Sequence, residues 1–224
     1  KSGWDWRSVL PLFRKSEDHY TGESELHGAG GEWRVEQQRH RWDILEAFRE
    51  AAIESGIPSL EDFNGGDNEG CGYFQVNQKR GVRWNASKAF LRDLHTRSNF
   101  TLVTNAPVDR VIFDSQDGTP KATGIRVCLE GAWQQIVASQ VILSAGSIGS
   151  PAILQRSGIG PRGLLARLGI PQLCELPGVG GNLQDHLQLR LIYRVKGIKT
   201  LNEMAGSWLS KAGMAWQYLR SRSG

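Results

Sequence analysis

Residues 141–160, VILSAGSIGSPAILQRSGIG, hold the strongest chemical signal in the chain. An unbroken apolar run, of the kind that forms a strand buried on both faces of a parallel sheet, leads into glycines. Ser150 and Pro151 then stand where a helix would be capped and opened. Such a turn leaves backbone N–H groups unpaired and suits a nucleotide phosphate or the edge of an adenine. An ordinary Gly-rich strand-to-helix connection reads the same way. The G-x-G-x-x-G of a complete dinucleotide fingerprint is absent, and no acidic residue ends a second strand, so these residues are at most part of a cofactor site.

The remaining reactive side chains assemble no known catalytic pattern. His186 follows Asp185 in NLQDH, yet neighbours in sequence need not form a pair in space, and His186 reads as structural. His19, His27, His40 and His95 show neither metal-ligand spacing nor a partner motif, so no metal site is expected. Cys71, Cys128 and Cys174 are odd in number and far apart, which excludes a disulfide framework and a CxxC knuckle. No G-x-S-x-G elbow supports a Ser-His-Asp arrangement. Gln75 and Asn77 share one face of an alternating run at 73–77, either a solvated strand face or the lining of a pocket.

Helices and strands that would position these groups follow from periodicity and caps. Asp5 caps a helix carrying Trp6, Val9, Leu10 and Phe13, with Pro11 a kink point. A Gly-rich turn at 28–31 precedes a second amphipathic helix over 42–55, stopped by Gly56 and Pro58. Asn85 caps a short helix at 86–95. Strands are expected at 100–104, 108–113, 124–129 and 133–138, with a turn at 114–118, as a small antiparallel meander. The apolar strand 141–145, helices at 146–160 and 162–168, a Gly loop at 177–181 and a strand at 187–195 follow. Thr200 and Glu203 form a capping box for a last helix, whose apolar stripe runs through Met204, Trp208 and Trp216.

Composition limits the alternatives. With 224 residues, 39% hydrophobic residues and 27 glycines, the chain can bury a core and is rich in turns. Its net charge of +4 is scattered along the sequence, which argues against nucleic-acid partners. No window of about 18 apolar residues exists, so no membrane span is expected. No signal peptide is visible, which favours a cytoplasmic or membrane-surface location over secretion.

GSIGSPAILQRSGIG, residues 146–160, resembles the second signature of the glucose-methanol-choline (GMC) oxidoreductases in the order and spacing of its Gly-Ser, Ser-Pro, paired aliphatics and Ser-Gly-Ile-Gly. LPGVGGNLQDH at 176–186, RWNASKAFL at 83–91 and GWDWRSVLPLFRKSE at 3–17 are similar to the choline dehydrogenase and alcohol dehydrogenase branch. The resemblance covers essentially the whole chain. It implies an α/β (mixed α+β) fold holding part of an FAD-binding domain with a parallel-sheet strand, and part of an antiparallel-sheet substrate domain. On this reading residues 1–98 are mainly substrate-domain and cap elements, 99–186 belong to the FAD domain, and 187–224 return to the substrate domain.

The activity implied is FAD-dependent oxidation of a small-molecule alcohol, choline-like or another primary alcohol, by hydride transfer to the flavin. Residue by residue, Val108, Ala145 and Gly146 match backbone positions at the cofactor's adenosine half, and Gln75 and Asn77 match the strand roofing the flavin. The family's N-terminal fingerprint and C-terminal catalytic histidine have no counterpart here, so the resemblance implies an internal portion of a longer enzyme with no catalytic residue of its own. A truncated, non-catalytic binding or scaffold domain of the same fold is the alternative. Two or three backbone hydrogen bonds at about 1 kcal/mol each do not offset an association cost of about 4–15 kcal/mol, so tight FAD binding by these residues alone is not expected. The apolar run at 141–145 would be left exposed without neighbouring strands, which favours self-association.

Overall fold

The computed structural model describes residues 3–114 and 118–222. In chain order the elements are α1 (Trp6–Ser16), β1 (Glu17–His19), β2 (Trp33–Val35), α2 (Asp43–Glu54), β3 (Gln78–Lys79), β4 (Val82–Arg83), a π-helical turn (Ser87–Leu91) continued by a 3-10 turn (Arg92–Leu94), β5 (Val108–Asp114), β6 (Lys121–Leu129), β7 (Ala132–Val137), α3 (Gly146–Arg156), β8 (Ile159–Gly160), α4 (Arg162–Arg167), β9 (Cys174–Glu175), α5 (Leu201–Met204) and α6 (Trp208–Ser221). They fall into two compact units. The first runs to Thr101 and resumes at Ile192; the second is Leu102–Leu191.

In the first unit, α1 begins where Asp5 accepts the Ser8 backbone N–H at 3.2 Å and the Ser8 hydroxyl at 2.8 Å. Pro11 lies inside α1 without ending it. The chain passes directly into β1, which pairs in parallel with β2. The loop between them folds back along β1: Gly28 O accepts from His19 N, and Gly31 N donates to Glu17 O. A methyl group at Gly28 would collide with the Arg14 carbonyl oxygen, and one at Gly31 with Ser16, so side chains are excluded from this return. The alternating run at 73–77 is not a strand. Its one β-pairing among the described residues is a single bridge, Glu36 to Val76. Asn85 does cap its helical turn, accepting Lys88 N at 3.0 Å.

The second unit is built on the expected antiparallel meander, in the order β5-β6-β7. Gly124 in β6 packs against the Ile136 carbonyl of β7 with no room for a side chain. The tip of the expected 114–118 turn, residues 115–117, lies outside the described residues. α3 packs on β5 through the Ser157 hydroxyl, which accepts Val111 N at 2.9 Å and donates to Ile153 O at 2.7 Å. Asp109 gathers Arg110, Arg126 and Arg156 at 3.1–3.4 Å. Two parallel two-residue strands, β8 and β9, flank α4, whose Leu165 is fully buried.

Five expectations change here. Residues 141–145 are not in a sheet; the meander strands pair with one another, none runs beside this segment, and Ile142 is 79% exposed. Residues 100–104 and 187–195 are likewise unpaired, with Leu187 91% exposed. Ser150 does not cap α3. The helix starts four residues earlier at Gly146, and the Ser150 hydroxyl instead reaches back to accept Ala145 N at 2.9 Å. The C-terminal helix is two: α5 carries the Thr200–Glu203 capping box, and Ser207 restarts the chain as α6. No helix among the described residues is long and apolar enough to cross a membrane.

Leu165→Ala truncates the largest fully buried side chain among the described residues, and should cost about 2–4 kcal/mol. Leu168→Ala, at a position 59% exposed, should stay within about 0.5 kcal/mol. Urea dependence of amide exchange in β5–β7 measures both.

Candidate functional site

The first unit holds a cleft of about 670 Å³ between α1, the β1–β2 pair and the loops at 59–68 and 73–77. One wall is aromatic: Trp6 and Phe13 from α1, Trp33 from β2, and Phe63 against Phe74 with ring centroids 4.8 Å apart. Trp33 is braced from behind by Phe90, stacked at 5.7 Å and 7°. Trp6 and Phe13 are 63% and 67% exposed although they follow the apolar stripe of α1, so that stripe lines open space rather than a core.

Polar groups form the other wall. Gln75 and Asn77, singled out from the sequence, both line the cleft. Their amide nitrogens are tethered to backbone carbonyls, Gln75 to Glu61 O at 3.1 Å and Asn77 to Arg34 O at 3.4 Å. Each tether uses the nitrogen and leaves the side-chain oxygen able to accept from a ligand hydroxyl. Glu17, His19 and His27 complete the lining.

His27 is the centre of this wall. It is 8% exposed, and both ring nitrogens face carboxylates: Nδ1 lies 3.0 Å from Glu17 Oε2, and Nε2 lies 2.7 Å from Asp62 Oδ2. Only the doubly protonated ring satisfies both contacts as a donor. Burial alone would lower its pKa, but the hydrogen bonds and charges of Glu17 and Asp62 outweigh that and raise it. Glu17 Oε2 also accepts Gly28 N at 2.9 Å, and Asp62 Oδ1 accepts Asn64 N at 2.8 Å. Burial raises the Asp62 pKa, and the Asn64 N–H and His27 more than reverse this, so its net shift is downward. The His19 ring stacks on His27 at 4.0 Å and 18°. Burial first, then the His27 charge, push its pKa down, so His19 is held neutral. Its Nδ1 meets the Thr21 hydroxyl at 2.7 Å, while its buried Nε2 has no partner.

Sequence spacing did not bring these residues together. Positions 17, 19, 27 and 62 come from β1, the Gly-turn loop and the 59–66 loop, and the structure clusters His19, His27 and Asp62 with ligand-capable atoms within 4.8 Å of one another. No partner motif marks these histidines in the sequence, and the structure gives His27 two carboxylate partners, Glu17 and Asp62, from segments apart in sequence. Asp185 accepts the backbone N–H of His186 at 2.8 Å, and the His186 side chain is exposed, so the pair is local.

The three cofactor candidates lie in the second unit. Ala145 and Gly146 form the exposed entry to α3; Gly146 has a φ of +80°, and nothing lies within 4 Å of where its Cβ would be. Backbone here can approach a flat ligand closely, and the first N–H groups of the helix have no intrahelical acceptor. Val108 begins β5, and its carbonyl accepts Arg156 Nη2 at 3.3 Å, leaving a second lone pair. The structure sets these groups apart: Val108 is held by the last residue of α3 and Gly146 is its first, roughly 15 Å away along the helix.

The family model described as GMC oxidoreductase matches residues 1–188. Mitochondrial choline dehydrogenase of Homo sapiens is 42% identical over 84% of this chain and 31% of its own length. Oxygen-dependent choline dehydrogenase of Vibrio vulnificus is 36% identical, over 99% of this chain and 39% of its own. Among solved structures, an FAD-dependent oxidoreductase from Chaetomium thermophilum aligns with a TM-score of 0.83 at 26% identity, covering all of this chain and 41% of that one. The chain thus spans less than half the length of each.

His27 supplies a pH signature. Its folded pKa is raised, so its stabilisation is complete below the ordinary histidine value of about 6.5 and is lost as pH rises through the folded value. His27→Gln should be about 2–3 kcal/mol less stable than the parent near pH 6, from the loss of two charge-assisted hydrogen bonds. That gap should narrow as the pH rises through the raised folded value. Urea midpoints across this range measure it; a gap independent of pH would contradict a charged His27.

Proposed function

The chain belongs to the GMC oxidoreductase family, and from that membership we propose that it contributes both cofactor-facing and substrate-facing surfaces to the FAD-dependent oxidation of a small cationic alcohol of the choline type. The observation that carries the substrate class is the composition of the first unit's cleft, whose lining combines aromatic rings with Glu17. Glu17, Asp62 and protonated His27 together carry one net negative charge. A quaternary ammonium group gains from ring quadrupoles and from that charge at once, by about 0.5–2 kcal/mol for each well-placed ring. The names of the relatives, choline dehydrogenases, point the same way.

When bound, FAD would supply the hydride acceptor. Backbone at Val108, Ala145 and Gly146 would hold its adenosine half. Gln75 and Asn77 would orient the alcohol, since their tethered amides keep an acceptor oxygen in place without further ordering cost. The aromatic wall would exclude water from the substrate's carbon skeleton. None of the described side chains is assigned as the base that takes the hydroxyl proton.

The test uses the flavoprotein that contains this chain. Anaerobic choline should bleach its flavin absorbance. Trp33→Ala should raise the KM for choline roughly three- to thirtyfold, with little effect on a neutral alcohol of similar size. A flavin that no alcohol reduces would overturn the oxidoreductase reading. Equal losses for charged and neutral alcohols would overturn the cationic substrate alone.

A further inference from the structure

The loop at 59–66 has a fixed base and a tip held at one point. At the base, Leu60 N donates to Cys71 O at 3.0 Å and Cys71 N to Pro58 O at 2.8 Å. Over residues 62–66 the hydrogen bonds among the described residues stay inside the loop, from Asn64 N to Asp62 Oδ1 and from Gly65 N to Asp62 O, with one exception: Asp62 Oδ2 meets His27 Nε2 at 2.7 Å. This tip is a wall of the cleft. Phe63, Asn64 and Gly66 line it, and the Phe63 ring packs on Phe74 at 4.8 Å. Glu61 O, one residue before Asp62, receives the Gln75 amide at 3.1 Å.

We propose that His27 and Asp62 are positioning residues for the substrate-facing wall: their contact latches the 59–66 loop to Glu17 on β1, and through the loop fixes the Phe63 ring and the Gln75 amide. This role rests on the alcohol-binding reading of the cleft and adds a proton-controlled latch to it. Both hydrogens of the charged ring are needed. A neutral imidazole offers one hydrogen to two carboxylates, so a nitrogen lone pair then faces a carboxylate oxygen at hydrogen-bond distance. Glu17 is held in place, because β1 pairs with β2 and its Oε2 also accepts Gly28 N at 2.9 Å. Asp62, at the loosely tethered tip, is the partner that withdraws.

The charged groups around the latch leave its control to those two carboxylates. From β1 come Glu17 and the neutral His19 ring, stacked at 4.0 Å. From α1, Arg14 Nε reaches the His27 carbonyl at 3.4 Å and Arg14 Nη2 pairs with Glu23 at 2.8 Å. From β2, Arg34 pairs with Asp18 at 3.0 Å and Glu36 at 3.2 Å. Burial disfavours the charged ring, Glu17 and Asp62 outweigh it, and the proton therefore leaves above the ordinary value of about 6.5.

Asp62→Asn separates the latch from the proton. Its oxygen can keep the Asn64 N–H while its amide nitrogen donates to neutral His27, so the loop stays tethered without a charged ring. Taking parent over variant at each pH cancels the pH dependence of exchange chemistry and of catalysis alike. In the full chain, that ratio for exchange of the Gln75 side-chain amide should rise about five- to tenfold as pH passes the folded value of His27. In the flavoprotein that contains this chain, the ratio of kcat/KM for a neutral alcohol, which is blind to the charge of the cleft, should fall about two- to tenfold over the same range. An exchange ratio that ignores pH overturns the latch. A rising exchange ratio beside a level kinetic ratio overturns the positioning role. Rising exchange in an enzyme that oxidises no alcohol overturns the substrate reading and supports the latch. Should the variant fail to fold, NMR contacts between the Phe63 and Phe74 rings in the parent decide: their loss through the His27 titration supports the latch, and their persistence overturns it.

Discussion

One buried positive charge organises the first unit. Protonated His27 sits between Glu17 on β1 and Asp62 on a loop thirty-five residues further along, and each carboxylate is in turn saturated by a backbone N–H, from Gly28 and Asn64. Remove the ring and two carboxylates are left facing one another in a partly dry pocket, which is far costlier than losing an exposed ion pair. The Gly28 return, the β1–β2 pair and the 59–66 loop are held to one another through this centre. The aromatic side chains of α1 can then stay exposed along a cleft, because polar contacts rather than an apolar core fix the backbone beneath them.

Unit two solves the opposite problem with little charge burial. Its meander and α3 are joined by the Ser157 hydroxyl, which bonds both β5 and the helix's own Ile153 carbonyl, and by Arg156, which bonds two β5 carbonyls. The Asp109 cluster is half-exposed, and surface ion pairs are worth little individually. Its role is geometric: Arg156 reaches the Val108 and Asp109 carbonyls and so sets the angle at which α3 leaves the meander. Ala145 and Gly146, at the helix's far end, are thereby placed in the open.

Local chemistry was legible in the sequence, and long-range chemistry was not. The Asp5 cap, the Thr200–Glu203 capping box and the Asn85 cap were read correctly because each needs only residues three apart. The meander was read from alternation and β-branched residues. The run at 141–145 was misassigned because an apolar segment becomes a strand only when another strand offers it hydrogen bonds, and that partner is not encoded within the segment itself. Ser150 failed for a related reason. It is a good cap residue, but Gly146 can adopt the positive φ that starts the helix earlier, and Pro151 is tolerated in the first turns. His27 was dismissed because its partners lie ten residues before it and thirty-five after, and no spacing rule connects β1 to the 59–66 loop. The alternation at 73–77 pointed to Gln75 and Asn77 as neighbours on one face, and both do line the cleft, although the segment is a single bridge rather than a strand.

Charge at the cleft floor ties stability to the field that the cleft presents. With His27 protonated the cluster is negative by one charge, and a cationic group held against the aromatic lining would be attracted by it, whereas an anionic one would be repelled. Raising the pH acts on both at once: loss of the His27 proton leaves two uncompensated carboxylates, which strengthens the field on a cation while loosening the loop that Asp62 anchors. The proton that holds the loop in place is therefore the same charge that moderates the field in the cleft above it.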